Sequence, residues 1–266
     1  MHNHFNPDEE KDFLNSLVIN YRDVLPYSRI KKDIIIDLID QTIDYDKKNR
    51  ALQFGCSNGY ETEQLSKRFN HLDVIDGSSV FIEKLAKEKK YQNVNFIWSL
   101  FEEYKVVNEN LKYDYIFCNY ILEHVYDPTF ILMQIKKILK PNGILIIVVP
   151  NENALSRRIA LKMGLLNSLD DLTENDLRHG HRRVYNRDMI EKDLFLSGFS
   201  IVSIKGIVFK ILADFQLNKL LNEGFLSDEH IFALQELASV DKNIEFSDSF
   251  FIVAKVVNGE KLKLNA

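Results

Sequence analysis

Two glycines in the stretch LQFGCSNGY, Gly55 and Gly59, separate a short apolar run from a polar-apolar segment. A strand that ends at Gly55 and turns into a helix near Gly59 gathers several backbone N–H groups in one place. That suits an anionic or polar ligand, and glycine lets the ligand approach the backbone. A purely structural turn needs the same glycines, so the pair alone carries little. Asp76 adds a second element. It closes the apolar run HLDVID 21 positions after Gly55, where a carboxylate at the next strand's tip can accept hydrogen bonds from both hydroxyls of a ribose. Loop and acid together point to a nucleoside-containing ligand; the plainer reading of Asp76 is helix capping.

Candidate bases lie further along. His124 stands in LEHV, and His179, His181 and Tyr185 stand in RHGHRRVYNRDM. An imidazole with an ordinary pKa of about 6.5 accepts a proton at neutral pH. Arg178, Arg182, Arg183 and Arg187 surround the second group, with Arg157 and Arg158 upstream. If that segment folds over a pocket, its guanidinium groups favour an acceptor bearing phosphate or carboxylate; a solvated charged face is the alternative. Cys56 and Cys118 are the two cysteines of the chain. They show neither a disulfide framework nor a metal spacing, so reduced thiols in a cytoplasmic protein are expected, with no metal site.

The elements that must position these groups follow from the apolar pattern. At 266 residues and 45% hydrophobic composition, the chain can bury a core as one large α/β domain. Its formal charge of −5 argues against gathering nucleic acid or anionic membrane. The start, MHNHFNPDEEKDF, lacks a signal-peptide succession, and GILIIVVP is too short to span a bilayer. Residues 1–46 read as helices that form a cap preceding the core. Residues 48–150 alternate apolar runs (ALQFG, LDVID, VNFIW, YDYIFCN, ILIIVVP) with amphipathic segments near 61–69, 79–90 and 129–139. That alternation predicts parallel strands with both faces covered. Residues 151–183 look irregular. Helices are then expected over NRDMIEKDLFLSGF and near 211–222 and 228–239, with strands over SIVSIKGIVF and SFFIVAKVV, within a single domain whose region 151–266 serves the acceptor and closes the sheet.

From about residue 48 to 205 the chain resembles the class I S-adenosylmethionine-dependent methyltransferases, in the branch of small-molecule, ubiquinone-type and sugar enzymes. The resemblance rests on ordered motifs: LQFGCSNGY, VIDGSS, FIWSLFEEY, YDYIFCNYILEHVYDP and ILKPNGILIIVVPN. It implies a Rossmann-like, mostly parallel sheet with an antiparallel final strand, and S-adenosylmethionine as cofactor. It further implies that Gly55, Cys56, Ser57 and Gly59 line the methionine and ribose, that Asp76 binds the ribose with Gly77 and Ser78 beside the adenosine, that Leu100 and Phe101 border the adenine, and that Asn119 faces the methionine ammonium. Phe101 as plain core is the competing reading. His124 commonly supports the site in this pattern, and His181 lies next to the acceptor pocket.

Two departures matter. The family usually has an acid at Gln53 and a glycine at Ser57. Gln53 can still accept a hydrogen bond but lacks charge, so affinity drops or the contact moves elsewhere. Ser57 fits the turn if its φ is negative. Methyl transfer is an in-line displacement, so an acceptor must be aligned and, if it is a hydroxyl, deprotonated. The expected reaction is O-methylation of a small polar acceptor, with a nucleotide-linked sugar or surface-polysaccharide precursor as context and a homodimer compatible with it. The alternatives are N- or C-methylation, an inactive cofactor-binding partner, and an NAD-dependent oxidoreductase. The last leaves LEHV and KPNG unexplained.

Overall fold

The structure, a computed structural model, describes residues 5–21, 25–46, 48–104 and 112–257. The apolar runs form strands β1 (Arg50–Phe54), β2 (His71–Asp76), β3 (Val94–Trp98), β4 (Tyr113–Asn119), β5 (Leu139–Pro150), β6 (Phe199–Ile207) and β7 (Ser249–Val256). They make one seven-stranded sheet ordered β3-β2-β1-β4-β5-β7-β6. β1 to β5 are parallel, and β7 is antiparallel to both neighbours. β1 and β4 are buried over nearly their whole length, which is why they read as unbroken apolar runs, whereas edge strand β3 is only partly buried. Residues 105–111, between β3 and β4, lie outside the described residues.

Around the sheet lie α1 (Pro7–Leu17), α2 (Pro26–Asp40), α3 (Tyr60–Ser66), α4 (Ser79–Ala86), α5 (Pro128–Ile138), α6 (Leu155–Lys162), α7 (Glu174–Arg178), α8 (Arg187–Leu196), α9 (Asp214–Asn222) and α10 (Asp228–Ala238). One apolar cluster joins α2, α3, α4, α9 and α10 to one sheet face through Ala51, Val74, Phe117 and Phe251. A second joins α5 and α8 to the other face through Leu52, Ile116, Ile147 and Ile252.

Three expectations change. α2 belongs to the core: Tyr27, Ile30, Ile34, Ile35 and Ile39 are buried in the first cluster, because its aliphatic face is too broad to be left outside. Asp248, before β7, receives Lys31 of α2 at 3.1 Å and Lys210 at 2.7 Å, a buried ionic knot that fastens α2 to the sheet. Residues 151–183 contain α6 and α7; the latter starts at a capping box between Thr173 and Asp176. Finally, the KPNG turn lies within β5's span. Tyr113 pairs with Leu139 and Tyr115 with Ile144, so Lys140 to Gly143 loop out. No helix among the described residues is long and apolar enough to cross a membrane.

Candidate functional site

Strand order reverses between β1 and β4, and the crevice at their carboxyl ends is where an open α/β sheet takes a ligand. The β1–α3 loop reaches it in a left-handed conformation, with φ of 74° at Gly55, 47° at Ser57 and 85° at Gly59. Ser57 therefore does not have the negative φ that would make it comfortable. It holds a conformation suited to the glycine it replaces, at a cost of about 1–2 kcal/mol. Tyr120, just past Asn119, and Val208, just past β6, also have positive φ (56° and 49°). All three strained residues stand at the same edge of the sheet, a placement typical of functional sites.

Asp76 ties this loop down. Its Oδ2 accepts the Cys56 N–H at 2.8 Å and the Ser57 N–H at 3.5 Å, while Oδ1 accepts the Ser78 N–H at 2.8 Å. The Cys56 thiol lies 3.4 Å from the same carboxylate, and burial pushes that thiol up. Burial raises the Asp76 carboxyl too, against these hydrogen bonds. Ser78 caps α4 and donates to Asn15 of α1 at 2.9 Å. A side chain at Gly77 would collide with Leu14 of α1, and Leu100 closes the same spot from the other side. α1 thus covers the loop after β2. Phe101 packs on Phe54 with ring centroids 5.2 Å apart, so its ring belongs to the core.

Gln53 is 3% exposed and its Oε1 accepts the Thr62 hydroxyl at 2.8 Å. Its oxygen is engaged inside the fold, and as a neutral amide it lacks the charge of the acid it replaces. Asn119 stands at the tip of β4 as expected. Its Nδ2 donates to Glu61 Oε1 at 2.9 Å, and its Oδ1 is buried without a partner.

The histidines meet on the other side of β4. The His124 and His181 rings form an edge-to-face pair with centroids 4.8 Å apart. Beside them Glu123 is fully buried with both carboxylate oxygens unpartnered. Burial lifts its carboxyl to about 7, opposed chiefly by His181. Burial also drives His124 down to about 3, followed by repulsion from His181, so His124 is neutral and its Nδ1 stands 3.3 Å from the Gly180 carbonyl. His181 Nδ1 stands 3.3 Å from Asp176 Oδ1, within ion-pair reach but not aligned for a hydrogen bond. Glu123, His124 and His181 bring donor atoms within 4.8 Å of one another, close enough to share a cation, although no spacing in the sequence announces it. His179 faces Tyr21 instead, centroids 5.2 Å apart. Tyr21 donates to the His179 carbonyl at 3.1 Å. Burial, then Glu123 and Asp76, raise its phenol, which places Tyr21 in the field of both halves of the site.

Tyr185 is not part of this group. It is fully buried in the second cluster and its hydroxyl donates to Asp193 at 3.2 Å. The arginines are also committed elsewhere. Arg183 donates to the carbonyls of Leu122 and Val125 at 2.6 Å each and Tyr126 at 3.0 Å. Arg182 donates to the His124 carbonyl at 2.6 Å, pairs with Glu10 at 2.7 Å and lies 3.8 Å over the Tyr126 ring. They fasten the segment after β4 rather than offer a fork to a ligand.

A family model described as a methyltransferase domain matches residues 27–204, more than half of the chain. The chain belongs to the methyltransferase domain family. It is similar to a ubiquinone biosynthesis O-methyltransferase of Pasteurella multocida, 30% identical over 36% of this chain and 44% of that one. A ubiquinone biosynthesis O-methyltransferase of Rickettsia canadensis is 25% identical over 68% of this chain and 75% of its own length. The chain thus spans under half of the first relative and three quarters of the second. Among solved structures, the N-methyltransferase NodS of Bradyrhizobium japonicum, in complex with S-adenosyl-L-homocysteine, has the same fold. Its TM-score is 0.56 at 14% identity, covering 92% of this chain and 98% of that one.

The residues at the crevice fit S-adenosylmethionine, the cofactor that the resemblance implies. Asp76 accepts three backbone N–H groups and approaches the Cys56 thiol, and a carboxylate has about four acceptor sites, so a ribose hydroxyl would take the place of the long Ser57 or thiol contact. The loop's left-handed glycines leave backbone accessible at the crevice, and Asn119, at the tip of β4, has an unused acceptor. Glu61, Glu123 and Tyr21 were not singled out from the sequence. Glu123 stands next to His124 in LEHV, the one signal that could have found it; Glu61 and Tyr21 carry none until the fold brings them to the crevice.

Proposed function

We propose that this methyltransferase transfers the S-adenosylmethionine methyl group to a hydroxyl oxygen of a small polar acceptor, with His181 as the base. The observation that carries this reading is the buried, unpartnered Glu123 carboxylate beside His181, a few residues from the tip of β4. The sulfonium supplies an electrophilic methyl. The chain's own part is to align the acceptor oxygen behind that methyl and accept its proton as the C–O bond forms. Glu123 packs beside His181, and Asp176 Oδ1 stands 3.3 Å from its Nδ1, so the ring is held between two carboxyl groups. Neutral His124 forms the floor. Tyr21 and α1 close the crevice over the loop and exclude water.

The acceptor expected from the cationic segment was a nucleotide-linked sugar or polysaccharide precursor. Since Arg182 and Arg183 have their donors spent on carbonyls and Glu10, that context loses its support. The two relatives described above are named as O-methyltransferases of ubiquinone biosynthesis, which favours an uncharged ring hydroxyl. Purified protein is incubated with S-adenosylmethionine and a panel containing a catechol and a nucleotide-linked hexose, and products are read by mass. Methylation of the catechol class, lost in His181→Ala, is expected. Methylation of the hexose alone would restore the sugar reading, and stabilisation by NAD but not S-adenosylhomocysteine would remove the methyltransferase reading altogether.

A further inference from the structure

S-adenosylmethionine carries a zwitterionic amino-acid end: an ammonium that needs acceptors and a carboxylate that needs donors. In this chain Gln53 brings no charge to either end, and its amide oxygen accepts from Thr62 deep in the fold. A different set of groups converges at the β1–β4 reversal. Glu61, in the first turn of α3, holds Asn119 Nδ2 at 2.9 Å. The same amide's Oδ1 is buried with no partner. Two acceptors therefore stand side by side at this place, and a cation is what such a pair lacks.

The electrostatics agree. Burial lifts the Glu61 carboxyl to about 7, opposed by the Asn119 hydrogen bond and then by Lys32. A carboxyl so desolvated gains most from an added cation. Lys32, on α2, is in turn lowered by burial and raised by Glu61. Its Nζ donates to Asn58 Oδ1 of the cofactor loop at 3.3 Å, leaving further N–H donors on the ammonium. An acid, an orphaned amide oxygen and a lysine at one loop form a charge pattern complementary to an α-amino acid.

We propose that Glu61 and Asn119 seat the methionine ammonium of the cofactor, and that Lys32 pairs with its carboxylate. The acid missing from β1 is thereby replaced from α3. This rests on the methyltransferase reading above and deepens it.

The test compares two ligands. S-adenosylhomocysteine has the amino-acid end and 5′-methylthioadenosine lacks it, while both keep the adenosine that Asp76 would hold. By calorimetry, Glu61→Gln, which keeps the shape and the Asn119 contact, weakens S-adenosylhomocysteine at least tenfold (about 1.4 kcal/mol) and leaves methylthioadenosine within twofold. Lys32→Met does the same. Equal losses for both ligands, or no loss for S-adenosylhomocysteine, overturn the proposal while leaving the cofactor intact. Should wild-type protein bind neither ligand, the cofactor reading fails first. If the variants do not fold, wild-type protein decides alone: an S-adenosylhomocysteine analogue without its amino group binds at least tenfold more weakly than the parent, and equal affinity refutes the seat.

Discussion

Asp76 reaches across from β2 to accept the Cys56 N–H at 2.8 Å, so the acid at one strand's tip shapes the glycine loop at its neighbour's. One carboxylate therefore has two tasks. Asp76→Ala leaves the N–H groups of Cys56 and Ser78 without acceptors, at about 1–3 kcal/mol for each buried orphan. It should both lower the melting temperature and abolish S-adenosylhomocysteine binding. Asp76→Asn, with an oxygen still in place, should melt closer to wild type while binding the ligand more weakly. Thermal melts with and without ligand separate the two tasks.

Ser57 tests whether strain at the loop is stored or harmless. With φ at 47° it occupies a conformation that glycine adopts freely. Ser57→Gly should stabilise the ligand-free protein by about 1 kcal/mol, less the greater chain entropy of glycine in the unfolded state. Urea denaturation at constant m-value measures it; a destabilised variant would show that Ser57 makes a contact worth more than its strain.

Glu123 makes stability depend on pH. Its folded carboxyl titrates near 7 against an ordinary 4.5, so the folded chain keeps a proton that the unfolded chain releases. Stability is full below about 4.5, falls as pH rises toward 7, and is level beyond, with Glu61 acting in the same direction. Glu123→Gln should flatten that slope and be the more stable protein at pH 8, by up to about 3 kcal/mol. Unfolding curves at pH 5 and pH 8 decide.

The proposed mechanism separates His181 from Tyr185 among the candidate bases. His181→Ala should lower kcat by about 10²–10⁴, the usual worth of a positioned base. Tyr185→Phe should leave kcat unchanged and cost about 1 kcal/mol of stability, since its hydroxyl serves only Asp193. A large kcat loss in Tyr185→Phe would restore it to the reaction.

The knot beneath α2 offers a stability test far from the chemistry. Asp248 neutralises Lys31 and Lys210 in a buried position, and both lysines hold its carboxyl well below the usual range despite burial. Asp248→Asn leaves Asp214 as the remaining carboxylate for both lysines and should cost up to about 3–5 kcal/mol. Because the carboxyl is depressed when folded, its contribution is present above about pH 4 and fades under acid. An Asp248→Asn protein as stable as wild type at pH 7 would show that water solvates the lysines.

The sequence by itself determined the parallel core, the crevice loop, Asp76 and Asn119, because buried strands must be unbroken apolar runs and the residues at their tips are fixed by adjacency along the chain. Ser57 was visible as a departure, but its φ was not, since backbone conformation at a tight turn is set by what the turn must join. The tertiary structure decided the rest. Only folding brings Glu61 against Asn119 and His181 against Glu123, and only folding shows that Tyr185 and Gln53 are engaged by Asp193 and Thr62, and Arg182 and Arg183 by carbonyls distant in sequence. Hydrogen-bond commitments and desolvation depend on neighbours in space, and no spacing along the chain records them.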